Sequence, residues 1–197
     1  MKIGIYSGSF NPVHLGHIAL ADFLVQERVV EEVWLIRSPQ NPLKQSSGLM
    51  SNLARQEMLE LAIEGHAGLK ICNIEDRLPL PNYTVRTLDA LKTEYPQHEF
   101  HLIIGADNWQ IFTRWREWEK ILNDYHLIVY PRPGYPWDVT SAKQYPTVRM
   151  VEAPQYDISS TQIRERLTQG LSLSGWVDPN VEKYLYHDST QNRKRRI

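Results

Sequence analysis

Residues 1–17, MKIGIYSGSFNPVHLGH, contain the turn on which the fold is read. Residues 2–7 are short, apolar and β-prone, and Gly8 closes them as a strand. From Leu15 the pattern changes. Leu15, Ile18, Leu20, Leu24 and Val25 fall near helical spacing, which predicts a helix over 15–28. A strand that runs through a short glycine-bearing loop into a helix is the first half of a βαβ unit, and it sets the expectation for the rest of the chain.

Downstream the same alternation repeats. Strands are expected at 32–37, 69–74, 99–104, 125–130 and 147–151. Between them helices are expected at 52–64 and 84–95, the latter capped by Thr84, with short helical pieces within 107–122. A helix at 160–168 has Ser159 or Ser160 as cap, and one at 179–187 has Asp178 as cap and Pro179 at its first position. The stretch 38–50, with Pro39, Pro42 and Gly48, reads as a loop, and 131–134 (PRPG) as a turn. Strands separated by helices imply an α/β fold, a Rossmann-like doubly wound parallel sheet with helices on both faces. Ligands of such sheets lie outside the carboxyl ends of the strands. The loops after residues 7, 37, 104 and 130 are therefore where function is expected.

The 197 residues suit one domain over 1–187, followed by a basic, flexible tail at 188–197. The formal charge of −1 divides into +3 on that tail and −4 on the body. A nucleic-acid partner is not expected from this balance. An apolar fraction of 42% with 23% charged residues fits a globular chain, and no apolar run reaches the ~18 residues of a membrane helix. The first residues lack a secretory apolar core, and the lone Cys72 excludes an internal disulfide. Together these set a cytoplasmic expectation.

Two clusters carry the chemistry. In the first, Gly8 lets backbone approach a ligand, and Gly16 keeps open the space between His14 and His17. Those histidines are three apart at a helix start, where unsatisfied N–H groups and the helix dipole favour an anion. The pair suits a polyphosphate. Zinc would need further Cys or His ligands, and no such cluster completes the set. The second cluster is residues 158–164, ISSTQIR, in which Ser160 and Thr161 open a helix and Arg164 lies one turn on. Neither a Gly-x-x-x-x-Gly-Lys-[Ser/Thr] loop nor a Gly-x-Gly-x-x-Gly turn nor a Gly-x-Ser-x-Gly elbow is present.

The string Gly-Ser-Phe-Asn-Pro-x-His-x-Gly-His together with the second cluster resembles the His-x-Gly-His nucleotidylyltransferase superfamily, and within it the bacterial nicotinate-nucleotide adenylyltransferases. The likeness runs over residues 1 to about 186. It includes Pro39 to Lys44, residues 55–62 (RQEMLELA), Pro81-Asn82-Tyr83-Thr84, Gly105-Ala106-Asp107 with Trp115 beyond, and Arg132-Pro133-Gly134-Tyr135. Asn11 stands where bacterial members commonly have Asp, Ser9 where Thr is common, and Leu43 where His is usual.

The resemblance implies the nucleotidylyltransferase fold and transfer of AMP from ATP to nicotinate mononucleotide, with Mg2+ carried on the ATP phosphates rather than by a protein metal site. It implies that His14, His17 and Arg164 are catalytic. Gly8, Ser9, Phe10, Gly16, Ile158, Ser160 and Thr161 would join them around ATP, with Lys44 adding charge and Gly105 and Asp107 meeting ribose. Asn11, Tyr83, Thr84, Trp115, Arg116 and Arg132 would hold the mononucleotide. Trp115 would stack on the pyridine, main-chain N–H groups near Thr84 and Arg116 would meet its carboxylate, and Arg132 would approach its phosphate. Two alternatives stand beside this reading. One is nicotinamide mononucleotide as the preferred acceptor. The other is a non-catalytic nucleotide-binding or RNA-interaction protein that uses the basic tail.

Overall fold

A computed structural model describes residues 1–39, 48–135 and 144–194, with residues 188–194 described by backbone alone. Six strands form one sheet: β1 (Lys2–Gly8), β2 (Glu32–Arg37), β3 (Leu69–Ile71), β4 (Glu99–Gly105), β5 (His126–Tyr130) and β6 (Val148–Met150). Their order is β3-β2-β1-β4-β5-β6, and every pairing is parallel. The helices are α1 (Leu15–Gln26), α2 (Asn52–Ile63), α3 (Thr84–Glu94), α4 (Ala106–Gln110), α5 (Trp118–Asp124), α6 (Ser160–Thr168) and α7 (Pro179–Lys194).

The strands read as nearly continuous apolar runs because both faces are covered. Tyr6, Val33, Leu35, Ile103 and Ile128 face one core, which is closed by α1, α2, α6 and α7. Their immediate neighbours Ile5, Trp34, Ile36, Leu102, Ile104, Leu127 and Val129 face the other, which is closed by α3 and α5. Strand order reverses between β1 and β4, and there the carboxyl ends at Gly8 and Gly105 part to leave a crevice. No helix among the described residues is long and apolar enough to cross a membrane.

Three expectations change. Thr84 is not a cap: Tyr83 holds the extended cap position (φ −104°, ψ 135°), and Thr84 is already the first helical residue. The strand expected over 69–74 stops at Ile71, because residues 74–77 wind into a 3₁₀ turn that carries Glu75 inward. The last helix begins as expected, with Asp178 Oδ1 accepting from the Asn180 N–H at 2.7 Å, but it continues to Lys194 instead of ending at 187. Residues 188–194 contain neither Gly nor Pro to stop it. Ser159, one of the two caps expected for α6, is the cap, with its Oγ accepting from the Gln162 N–H at 3.2 Å.

Candidate active site

A cleft of about 550 Å³ opens over the carboxyl ends of β1 and β4. It is built by the β1–α1 loop, the starts of α3 and α6, and the segment around Trp115. Of the residues singled out in the sequence, Gly8, Ser9, Phe10, Asn11, His14, His17, Tyr83, Thr84, Gly105, Asp107, Trp115, Arg116, Arg132, Ser160, Thr161 and Arg164 line it. Gly16 and Ile158 line a small adjoining crevice that shares His14, His17 and Arg132. Lys44 lies outside the described residues.

The two histidines differ in their surroundings. Their rings stack with centroids 3.5 Å apart and planes 24° apart. The His14 backbone N–H donates to His17 Nδ1 at 3.2 Å. That bond assigns the proton of a neutral His17 to Nε2, which makes Nε2 a donor. His14 is buried, and its Nδ1 has no hydrogen-bond partner. Burial, reinforced by the Arg132 charge, holds its imidazole down at about 3, so the ring is neutral near pH 7. Gly16 sits close beside it: a Cβ there would stand 3.1 Å from the Tyr156 Cβ and 3.2 Å from His14 Nδ1, a tight fit that one of these side chains would have to yield to. Beneath the pair, Phe10 takes a left-handed backbone (φ 43°) and turns its ring under His17, with centroids 5.1 Å apart.

The second cluster docks onto the first. Arg164 Nη1 donates to the Asn11 carbonyl at 2.7 Å and Nη2 to Thr161 Oγ1 at 3.1 Å. Ser160 Oγ donates to the Pro12 carbonyl at 2.8 Å. Its hydroxyl hydrogen is thus committed, and α6 offers the cleft the first-turn N–H groups of Ser160 and Thr161, the Thr161 hydroxyl hydrogen and the remaining N–H groups of Arg164. The Asn11 side chain is used at both ends, Nδ2 to the Gly48 carbonyl at 2.9 Å and Oδ1 from the Met50 N–H at 3.0 Å. It clips the two loops at the cleft mouth to each other.

At the other end, Trp115 packs on Phe112 with centroids 5.2 Å apart, while its Nε1 is buried without a partner. The guanidinium of Arg116 lies over the Tyr83 ring, 4.9 Å from its centroid. Gly105 is needed between α4 and the β5–β6 loop. A Cβ there would collide with Asp107 Oδ1 and stand 2.8 Å from Arg132 Cγ. Arg132 Nε stands 3.6 Å from Asp107 Oδ1, which has no hydrogen-bond partner.

Sequence reasoning missed two groups that shape this cleft. Glu75 lies on its floor, buried, and accepts from Ser7 (3.3 Å), Thr87 (3.0 Å), Ser38 (2.9 Å) and Asn82 (3.3 Å). Arg55 is fully buried and donates to the carbonyls of Ser9 (2.6 Å), Ser38 (2.8 Å), Pro39 (3.2 Å) and Met50 (3.3 Å), and also to Asn52 Oδ1. Glu75 belongs to no recognisable spacing, and Arg55 opens the stretch RQEMLELA with nothing in it to show the distant carbonyls that it meets. Arg114, which also lines the cleft, had one signal: it flanks Trp115 opposite Arg116.

Glu75 and Asp107 are the carboxylates among the lining residues, and the Glu75 oxygens are already taken up. This donor set suits a cation that arrives on a polyphosphate, coordinated by phosphate oxygens.

Comparison with known proteins follows the same lines. Residues 5–166 match the family described as Cytidylyltransferase-like. The chain is 44% identical over 182 residues to a Bacteroides fragilis protein named "Probable nicotinate-nucleotide adenylyltransferase", covering 92% of this chain and 90% of that one. A Flavobacterium johnsoniae protein of the same name is 38% identical, covering 96% and 98%. The fold superposes on the nicotinic acid mononucleotide adenylyltransferase of Plasmodium falciparum, solved with NaAD, with a TM-score of 0.82 at 21% identity, covering 94% of this chain and 95% of that one.

Proposed function

Since the chain belongs to the Cytidylyltransferase-like family, and within it to the nicotinate-nucleotide adenylyltransferases, we propose that its cleft transfers AMP from ATP to nicotinate mononucleotide. The products are deamido-NAD and pyrophosphate, a step in NAD biosynthesis. One observation carries the assignment to this cleft. A cluster of phosphate donors (His14, His17, Arg164 and the first turn of α6) shares one cavity with an aromatic and cationic wall (Tyr83, Trp115, Arg116).

In the reaction a phosphate oxygen of the mononucleotide attacks the α-phosphorus of ATP, the bond from that phosphorus to the bridging oxygen breaks, and pyrophosphate leaves. The nucleophile is already an anion and needs no strong base. The barrier lies in joining two anions and in the charge that builds on the leaving group. Positioning and fixed donors therefore supply most of the rate. His17 Nε2–H, Arg164 and the N–H groups of Ser160 and Thr161 meet the ATP phosphates, with Gly8, Ser9 and Phe10 forming the wall beneath and Gly16 and Ile158 closing the adjoining crevice. A neutral His14 adds a donor that carries no charge of its own to desolvate. Lys44 contributes a further cation. Asp107 and the Gly105 backbone meet a ribose.

Trp115 takes the pyridine face, and the N–H groups of Thr84 and Arg116 take the nicotinate carboxylate. The position of Thr84 as the first residue of α3 supports this, because its N–H has no intrahelical acceptor. Arg132 meets the mononucleotide phosphate. Asn11 contributes by holding the loops in place, as its side-chain bonds indicate. Mg2+ bound to ATP would lower the charge on the reacting phosphates, and ATP carries it in. The domain comprises residues 1–187 with the basic segment as an appendage, and the lone Cys72 supports work in the reducing cytoplasm.

Incubation with ATP, Mg2+ and nicotinate mononucleotide should yield deamido-NAD and pyrophosphate in equal amounts. ATP consumption that yields no dinucleotide would overturn the assignment.

A further inference from the structure

At the amino end of the sheet, far from the cleft, three metal-ligating side chains converge. Glu99 and His101 alternate along β4 onto the same face, and His126 is the register partner of His101 on β5. The imidazoles of His101 and His126 stack at 4.8 Å, with planes 18° apart. Glu99 Oε1 lies 2.8 Å from His101 Nε2 and 3.4 Å from His126 Nε2, and one donor atom from each residue falls within 4.8 Å of the other two.

These spacings match a tetrahedral ion. With bonds of about 2.0–2.2 Å from Zn2+ to nitrogen and oxygen, neighbouring ligands stand roughly 3.3 Å apart. The two measured separations bracket that value. The third separation, between the two imidazoles, lies within 4.8 Å, so closing the set takes a rotation of the half-exposed His126 ring towards His101. The two histidines are held by paired strands rather than loops, so the site is largely preorganised. Two imidazoles and one carboxylate favour a borderline first-row dication over Mg2+ or Ca2+, which prefer sets of oxygen ligands. Among the described residues no other group of three such ligands gathers. Counting about 3.3 Å per residue along β4, His101 stands some 13 Å and Glu99 some 20 Å of strand away from Gly105.

We propose that Glu99, His101 and His126 form a binding site for a Zn2+-class divalent cation with an open fourth position, joining β4 to β5 at the edge of the sheet opposite the nucleotide cleft. The site is independent of the reaction assigned to the cleft, and its test does not use turnover as the primary readout.

The experiment is a titration of metal-free, full-length protein with Co2+, followed by its visible absorption, and with Zn2+ against a chromophoric chelator. The wild type is expected to bind one equivalent that E99Q and H126A each lose or hold at least about tenfold more weakly. H126A changes a half-exposed side chain, and thermal melting in chelator checks that it folds like the wild type. With metal added, the wild type should melt at higher temperature and H126A should not shift. Adenylyl transfer by either variant should be unchanged. Absence of a bound equivalent in the wild type, or its retention at equal affinity in both variants, overturns the proposal.

Discussion

His14 and His17 occupy the same helix start, yet their environments give them different work. His17 accepts a backbone hydrogen bond on Nδ1 and so presents Nε2–H as a donor. A donor aimed at charge that develops in the transition state is worth about 3–4 kcal/mol. His17→Ala is therefore expected to lower kcat about 10²–10³-fold while changing the KM for ATP much less. Steady-state kinetics with near-normal kcat would remove His17 from the reaction. His14 has a second, thermodynamic signature. Burial lowers its pKa from 6.5 to about 3, so between those values the unfolded chain binds the proton and the native state does not. Stability from this group is complete above about pH 6.5 and drains away as pH falls, by roughly 1.4 kcal/mol per pH unit. On going from pH 7 to pH 5 the wild type should lose about 2 kcal/mol more than His14→Gln in urea unfolding. Equal losses would contradict the burial assigned to His14. The histidine spacing was legible in the sequence. The tautomer was not, because it is set by the fold of the loop that turns the His14 N–H onto His17 Nδ1, and the suppressed proton affinity of His14 was not, because it depends on burial and on the distant Arg132.

At the scale of elements, the cleft depends on how the loops after β1 and β2 are tied together. Arg55 does this from α2 with one guanidinium on four carbonyls, and burial lowers it only to about 10, so it stays charged at neutral pH. Arg55→Met preserves apolar bulk but strands those carbonyls, each at a cost of about 1–3 kcal/mol. We expect a loss of at least about 3 kcal/mol in urea unfolding, together with a raised KM for ATP. A change within about 0.5 kcal/mol, as at an ordinary surface site, would show that the loops hold without it. The opposite wall has its own test. Trp115→Ala should raise the KM for the mononucleotide with little effect on that for ATP, and the reverse pattern would break the stacking assignment. Elements β2 and α6 were readable to the residue because apolar runs and caps mark them locally. The end of β3 was not, since it is set by the 3₁₀ turn that delivers Glu75 to hydroxyls from three other segments. The resemblance could place Ser160 near phosphate, but only the packing of α6 on Pro12 shows its hydroxyl already engaged.

For the whole molecule, net charge turns out to be a poor guide to ligands. In the proposed reaction a body of −4 would face polyanions through the few cations and helix starts that line one cleft at the carboxyl edge of the sheet. The parallel architecture was legible because strands and helices alternate along the chain. The gathering of Glu99, His101 and His126 was hidden, since β5 joins β4 only in the folded sheet. Residues 188–194 continue α7, whose packing comes from Val181 and Leu185 and from the Tyr184 hydroxyl, which donates to Glu57 at 2.6 Å. Removing residues 188–197 spares all of these contacts, so turnover is expected to be unchanged, and a large loss would bring the basic end into the reaction. In the proposed reaction this cleft adenylylates a nicotinate mononucleotide and reads its carboxylate with backbone N–H groups. Its most direct test is pyrophosphate release from ATP with each acceptor in turn, compared as kcat/KM. Turnover is expected with both, with a preference of at least about tenfold for the nicotinate form, the scale of one charge-assisted hydrogen bond. Equal use or a preference for the nicotinamide form would contradict the carboxylate assignment, and absence of turnover with both would contradict the account as a whole.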